Sequence, residues 1–99
     1  MDIIITEKAK SFLDKSRRKN IVIYLHERIC WGGHITKSVV VAALKEYENK
    51  NNYQIIPIGE YILYLDQKLF IKKEGLVIDL DPFMFLKQLK QSGASVYEV

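Results

Sequence analysis

Apolar residues in this chain come in short runs, among them Ile3-Ile4-Ile5, Ile21-Val22-Ile23-Tyr24-Leu25, Tyr61-Ile62-Leu63-Tyr64-Leu65 and Leu69-Phe70-Ile71, with glycines and polar turn formers between them. Runs of this length bounded by Gly, Asn and Asp are the pattern of strands, so the chain is constrained to a β-rich fold of many short elements. Its 99 residues leave room for a single domain over 1–99, with one core. No run approaches the roughly 20 apolar residues that a bilayer span needs. Met1-Asp2-Ile3-Ile4-Ile5 has neither the basic segment nor the long apolar segment of a signal peptide. A single cysteine makes no internal disulfide, which agrees with a reducing compartment. A cytoplasmic location, with no membrane association, is the expectation.

One helix stands out from the strands. Thr6 is suited to cap it, Glu7 suits its first turn, and Phe12 and Leu13 fall on one face while Lys8, Lys10, Asp14, Lys15 and Arg18 fall on the other. The helix is expected to stop near Lys19, and Ile21 to Leu25 then reads as a strand buried on both faces. Lys37 to Leu44 contains three adjacent valines, which favour a strand over the helix that Ala42 and Ala43 suggest. Glu48 to Asn52 is a polar loop. Tyr53 to Ile58, Tyr61 to Leu65, Leu69 to Ile71 and Leu76 to Leu80 read as strands, with a hairpin or a sharp corner at Asp66-Gln67-Lys68. Residues 82–91 fit two patterns. Asp81-Pro82 is a good start for a short helix that Gly93 would close, yet Phe83, Phe85 and Lys87 also alternate as a strand.

The chain's chemistry concentrates in Arg28-Ile29-Cys30-Trp31-Gly32-Gly33-His34. The thiol is the only one available, Arg28 is a counter-charge for a thiolate, and Gly32-Gly33 let the backbone take φ > 0. Trp31 reads either as a lid over the thiol or as an interface anchor. Cys30, His34 and His26 are the candidate metal ligands. If residues 26 to 30 are extended, His26 and Cys30 lie about 13 Å apart. Three donors fall short of the four that a tetrahedral soft-metal site takes, and no dinucleotide, P-loop or zinc-finger spacing is present. The chain therefore reads as non-enzymatic.

The net charge of +3 arises largely from Lys15, Arg17, Arg18 and Lys19. At a helix C-terminus these cations complement the macrodipole. The six tyrosines are scattered and form no stacking platform beside them, which argues against a nucleic-acid partner.

The ordered set Ile5-Thr6-x-x-Ala9, the apolar strand leading to Cys30 with Gly32-Gly33, then Gly59, Asp66, Leu69 and Gly75-x-x-Ile78-Asp79 resembles the HesB-like family of A-type iron–sulfur carriers, from about Ile3 to Leu80. The resemblance implies a small α+β, β-rich domain with one N-terminal helix and two short mixed or antiparallel sheets. It implies that Cys30 stands at the position of one of three cysteines that hold iron or a cluster. The other two form a Cys-x-Cys near the C-terminus in that family, whereas this chain ends Ser92-Gly93-Ala94-Ser95-Val96-Tyr97-Glu98-Val99. A shorter HesB-like group with a Cys-Cys or Cys-selenocysteine pair followed by glycines is more similar. Cys30 matches its first member and Trp31 takes the place of the second. The function implied is an iron or iron–sulfur carrier with Cys30 as thiolate ligand, any cluster being shared between the subunits of a homo-oligomer and passed among protein partners of iron–sulfur assembly. The alternatives are an interaction module that keeps the fold without a cluster, and a small thiol-redox protein.

Overall fold

The computed structural model describes residues 2–47, 51–83 and 86–97. Along the chain run β1 (Ile3–Ile5), α1 (Glu7–Ser16), β2 (Asn20–Ile29), β3 (Ile35–Leu44), β4 (Tyr53–Ile58), β5 (Tyr61–Asp66), β6 (Leu69–Ile71), β7 (Leu76–Phe83), β8 (Leu86–Ser92) and β9 (Ala94–Val96). The expected β-rich α+β domain with one N-terminal helix is what forms.

Two of the sheets are mixed. In the first, of order β1-β7-β8, β1 runs parallel to β7 and β8 antiparallel to it. In the second, of order β3-β2-β5-β4, β2 pairs antiparallel with β3 and parallel with β5. A further antiparallel pair, β6-β9, adds to the two sheets expected. Because β6 pairs with β9 rather than β5, Asp66 to Lys68 is a corner and not a hairpin.

The helix begins where the sequence suggests. Thr6 Oγ1 accepts the Ala9 N–H at 3.3 Å, and the Thr6 N–H reaches the Ile78 carbonyl at 2.9 Å, so the cap is fastened to β7. It ends earlier than expected. Arg17 takes φ 57°, and the N–H groups of Arg17 and Arg18 return to the carbonyls of Asp14 and Leu13, a Schellman closure made here without glycine. The chain can then turn straight into β2. Lys19 meets Glu60 at 3.1 Å and Asp14 at 3.7 Å, so part of the basic cluster is spent on the helix end.

Residues 82–83 and 86–91 are strand rather than helix, and Phe85 of the alternating pattern lies outside the described residues. Leu80 pairs with Leu89 and Pro82 with Lys87 across the β7–β8 hairpin, and Leu89 is buried. The proline is tolerated because β1 covers β7 only from Leu76 to Ile78, leaving one side of the strand free at Pro82. Val39 to Leu44 is a strand, as the valines dictate. Glu48, Asn49 and Lys50 of the expected polar loop lie outside the described residues.

The core lies between α1 and the sheets. Leu13, Ile21, Ile23, Leu63, Leu76 and Ile78 are its largest fully buried side chains, each contributing about 1.5–3 kcal/mol. Phe12, expected beside Leu13 in the core, is only half-buried.

Candidate functional site: a thiol at the tip of a projecting ribbon

The position of Cys30 follows from where β5 stops. β5 pairs with β2 only from Asn20↔Ile62 to Ile23↔Leu65. The next residue of β5 is Asp66, buried, and its carboxylate accepts the Leu25 N–H at 3.1 Å and the Lys68 N–H at 2.9 Å. A side chain thus replaces the strand at the edge of β2 and turns the chain away. β2 and β3 continue without it, in register from Asn20↔Leu44 to Ile29↔Ile35. From Leu25 to Ile29 the pair extends about 13 Å as a two-stranded ribbon. Residues 26–38 are all exposed, and the radius of gyration of 14.0 Å exceeds the roughly 13 Å of a compact chain this long.

The ribbon closes through a three-residue loop, Trp31-Gly32-Gly33. The Cys30 N–H donates to the His34 carbonyl at 2.7 Å, and the Gly33 N–H donates to the Cys30 carbonyl at 3.2 Å. Gly32 at φ 86° and Gly33 at φ 80° supply the conformations that such a bulged hairpin turn demands. Cys30 therefore sits just past the end of β2, as expected of a strand followed by a glycine pair.

Side-chain alternation divides the ribbon into two faces. His26, Arg28 and Cys30 share one face with their cross-strand partners Ser38, Thr36 and His34. Leu25, Glu27 and Ile29 share the other with Val39, Lys37 and Ile35. On the first face Cys30 Sγ lies 3.5 Å from Thr36 Oγ1. The His34 imidazole lies beside the loop: a Cβ added to Gly32 would be 3.6 Å from His34 Cδ2 and 3.8 Å from Nε2. Cys30 and His34 are thus cross-strand neighbours at the tip, Cβ atoms about 5 Å apart. His26 is not brought to them, since it lies within β2 and remains about 13 Å from Cys30. Among the described residues no group of three His, Cys, Asp or Glu converges to hold a metal ion.

Trp31 is not a lid. The residue is 99% exposed, so it shields neither the thiol nor the loop. Sequence reasoning also missed two other parts of this tip. Ile29 and Ile35, 78% and 59% exposed, face the same way beside Trp31; their symmetrical placement about the loop was the signal available. Thr36 as the polar neighbour of the thiol followed only once the register was known.

The domain and its projecting ribbon define the class: a small β-rich α+β fold with a thiol at a hairpin tip. Among solved structures, the "Crystal Structure of IscA with the [2Fe-2S] cluster" is similar to 93% of this chain over 85% of its own, with a TM-score of 0.56 and 14% identity. The likeness at that identity is one of fold. The sequence profile of the CC/Se motif containing family matches residues 1–94, and the chain belongs to that family. No curated protein matches the chain. No helix among the described residues is long and apolar enough to cross a membrane.

Proposed function

We propose that the protein is a non-enzymatic carrier that takes iron or an iron–sulfur cluster as cargo, with Cys30 as its thiolate ligand. The observation that carries this reading is the placement of the chain's one thiol, exposed at the tip of a ribbon that stands clear of an IscA-like domain. A thiolate there is accessible to cargo and to a protein that receives it. The bare tip of one chain does not fit a cluster. A [2Fe–2S] centre takes four protein ligands, whereas one chain offers Cys30 and, across the hairpin, His34. Two chains offer two of each. The cargo is accordingly held between copies of the chain, or between this chain and a partner of iron–sulfur assembly.

Anaerobic reconstitution with iron and sulfide, followed by absorption spectroscopy and sizing, tests this. The wild type is expected to gain visible absorption on a species larger than the monomer, Cys30→Ser to lose it, His34→Ala to weaken it and His26→Ala to leave it unchanged. A stable cluster on a monomer, or one that survives Cys30→Ser, refutes the ligand assignment. A second reading, an interaction module that keeps the fold without cargo, draws on the full exposure of Trp31; a wild type that takes up neither iron nor sulfide selects it.

A further inference from the structure

The tip of the ribbon presents to water the side chains that gain most from leaving it. Trp31 in the loop is 99% exposed, and Ile29 and Ile35, paired across the hairpin behind it, are 78% and 59% exposed. Large apolar side chains gathered in solvent mark a surface that binds something. The charges around them are one-sided. From Arg28 to Lys37 the chain carries those two cations and no carboxylate, and the nearest acid, Glu27, lies opposite Lys37 in register.

We propose that this tip docks on an anionic bilayer surface, with Trp31, Ile29 and Ile35 in the headgroup region and Arg28 and Lys37 against lipid phosphates. Size favours a bilayer over a protein pocket. A tryptophan buries about 150–250 Å², and with two isoleucines the tip falls well short of the roughly 800 Å² per partner of a specific protein interface. A bilayer needs no matching shape, because binding there grows with the apolar area buried and with attraction to anionic lipids. The spacing along the ribbon also suits it. The Ile29–Ile35 pair lies about 7 Å behind the loop, within the 5–10 Å to which interfacial segments sink, and tryptophan is enriched in that layer. Arg28 stands in the next row and Lys37 in the one after, where cationic heads reach phosphate. The backbone sets the depth. Beyond Leu25 neither strand of the ribbon has an outer strand partner among the described residues, so its outward N–H and C=O groups need water and the hairpin stops at the interface. A spanning segment, whose lack led to the expectation of no membrane association, is not needed for such docking.

This docking does not rest on the carrier reading. Trp31 is the only tryptophan of the chain, so its fluorescence reports the contact directly. With vesicles of equal parts phosphatidylcholine and phosphatidylglycerol, the emission of the reduced, metal-free protein is expected to move to shorter wavelength and to become shielded from acrylamide. Half-saturation is expected at about 0.1–1 mM lipid, no tighter than a single acyl chain. Vesicles of phosphatidylcholine alone should bind less, and added salt should weaken binding to the anionic ones. In vesicle flotation Trp31→Ser is expected to lose at least tenfold in affinity with an unchanged unfolding midpoint, Arg28→Glu to lose about fivefold or more, and Cys30→Ser to bind as the wild type does. Emission unmoved up to about 5 mM lipid leaves the tip to a protein partner and overturns the proposal. Binding that survives Trp31→Ser overturns it too. So does short-wavelength emission from the protein alone that moves to longer wavelength on dilution, the sign of a second copy on the tip. None of these results touches the carrier reading, which reconstitution tests through Cys30.

Discussion

Replacing Asp66 by alanine removes two hydrogen bonds at once, those from the Leu25 and Lys68 N–H groups, and does so at a side chain that is 9% exposed. A hydrogen bond to a charged group contributes about 1.5–3 kcal/mol. Lys68 is exposed, so water takes over its N–H at small cost. Leu25 is half-buried at the edge where β5 leaves, and its N–H has no strand to return to. The sum is an expected loss of about 2–4 kcal/mol, a large part of a domain stability of 5–15 kcal/mol. With a urea m-value of about 1.5 kcal/mol/M the unfolding midpoint falls by about 1.5–2.5 M. Asp66→Asn keeps one carbonyl oxygen and therefore one of the two bonds, and its loss is expected to be about half as large. Hydrogen exchange adds a local readout, because the Leu25 amide should exchange faster in both variants relative to amides of the β7–β8 hairpin. An Asp66→Ala protein within about 0.5 kcal/mol of wild type, or a Leu25 amide protected as before, refutes the idea that this carboxylate closes the edge of β2 and launches the ribbon.

Three further outcomes follow from the structure. Asp79 Oδ1 accepts the Thr6 hydroxyl at 2.7 Å and the Leu80 N–H at 2.8 Å, and these bonds, the Thr6 hydroxyl foremost, hold its carboxyl below the usual carboxylate value; its contribution is present above the unfolded pKa of about 4 and is lost as pH falls through the lower folded value, so an NMR titration should show the Asp79 midpoint rise in Thr6→Val and the protein's stability become less acid-sensitive. Gly93→Ala is expected to cost more than about 3 kcal/mol by denaturation, since at φ 110° the added Cβ meets the backbone of Gly75 and Leu76, whereas Gly59→Ala, at φ 57° and facing open space, should cost about 1 kcal/mol. Tyr61, whose phenol is pushed well above its ordinary pKa by burial and by donation to Asp14 at 2.7 Å, should lose about 1 kcal/mol as Tyr61→Phe, because the exposed Asp14 rehydrates and Lys19 keeps its place over the ring.

The elements that the sequence discloses are those whose local chemistry and tertiary role agree. Thr6 caps the helix, the valines of β3 make a strand, and Gly32-Gly33 turn the chain beside Cys30, each by a preference that acts within a few residues. Where the outcome depends on a distant partner, local pattern misleads. The helix start at Asp81-Pro82 is a real local signal, and it loses to the pairing of β7 with β8. Arg17 in a left-handed conformation carries no signature, since glycine is the residue expected at such a closure. Asp66 is legible as part of a turn, but that its carboxylate accepts the N–H of Leu25, 41 positions away, required the parallel β2–β5 register.

The same limit governs the site. Sequence places Cys30, Trp31 and His34 within five residues and invites the inference that they act together. The strand register sorts the side chains around them onto two faces. Cys30 and His34 come together because the hydrogen bond between Cys30 and His34 closes the hairpin. Ile29 and Ile35 are turned to the opposite side by the two-residue period of the same strands, and Trp31, with no lid to form, stands free beyond both. A one-residue slip of β2 against β3 would pair Ile29 with Thr36 and Cys30 with Ile35, mixing the polar and apolar faces. The register is held against that slip at both ends: by the bulged turn at the glycines, and at the base by Ile21 and Ile23, whose burial a slip would forfeit at about 1.5–3 kcal/mol each. The core of the domain thus fixes which way a thiol about 20 Å from it points, and a tip that looks like a free loop in the sequence is as strongly specified as the strands that carry it.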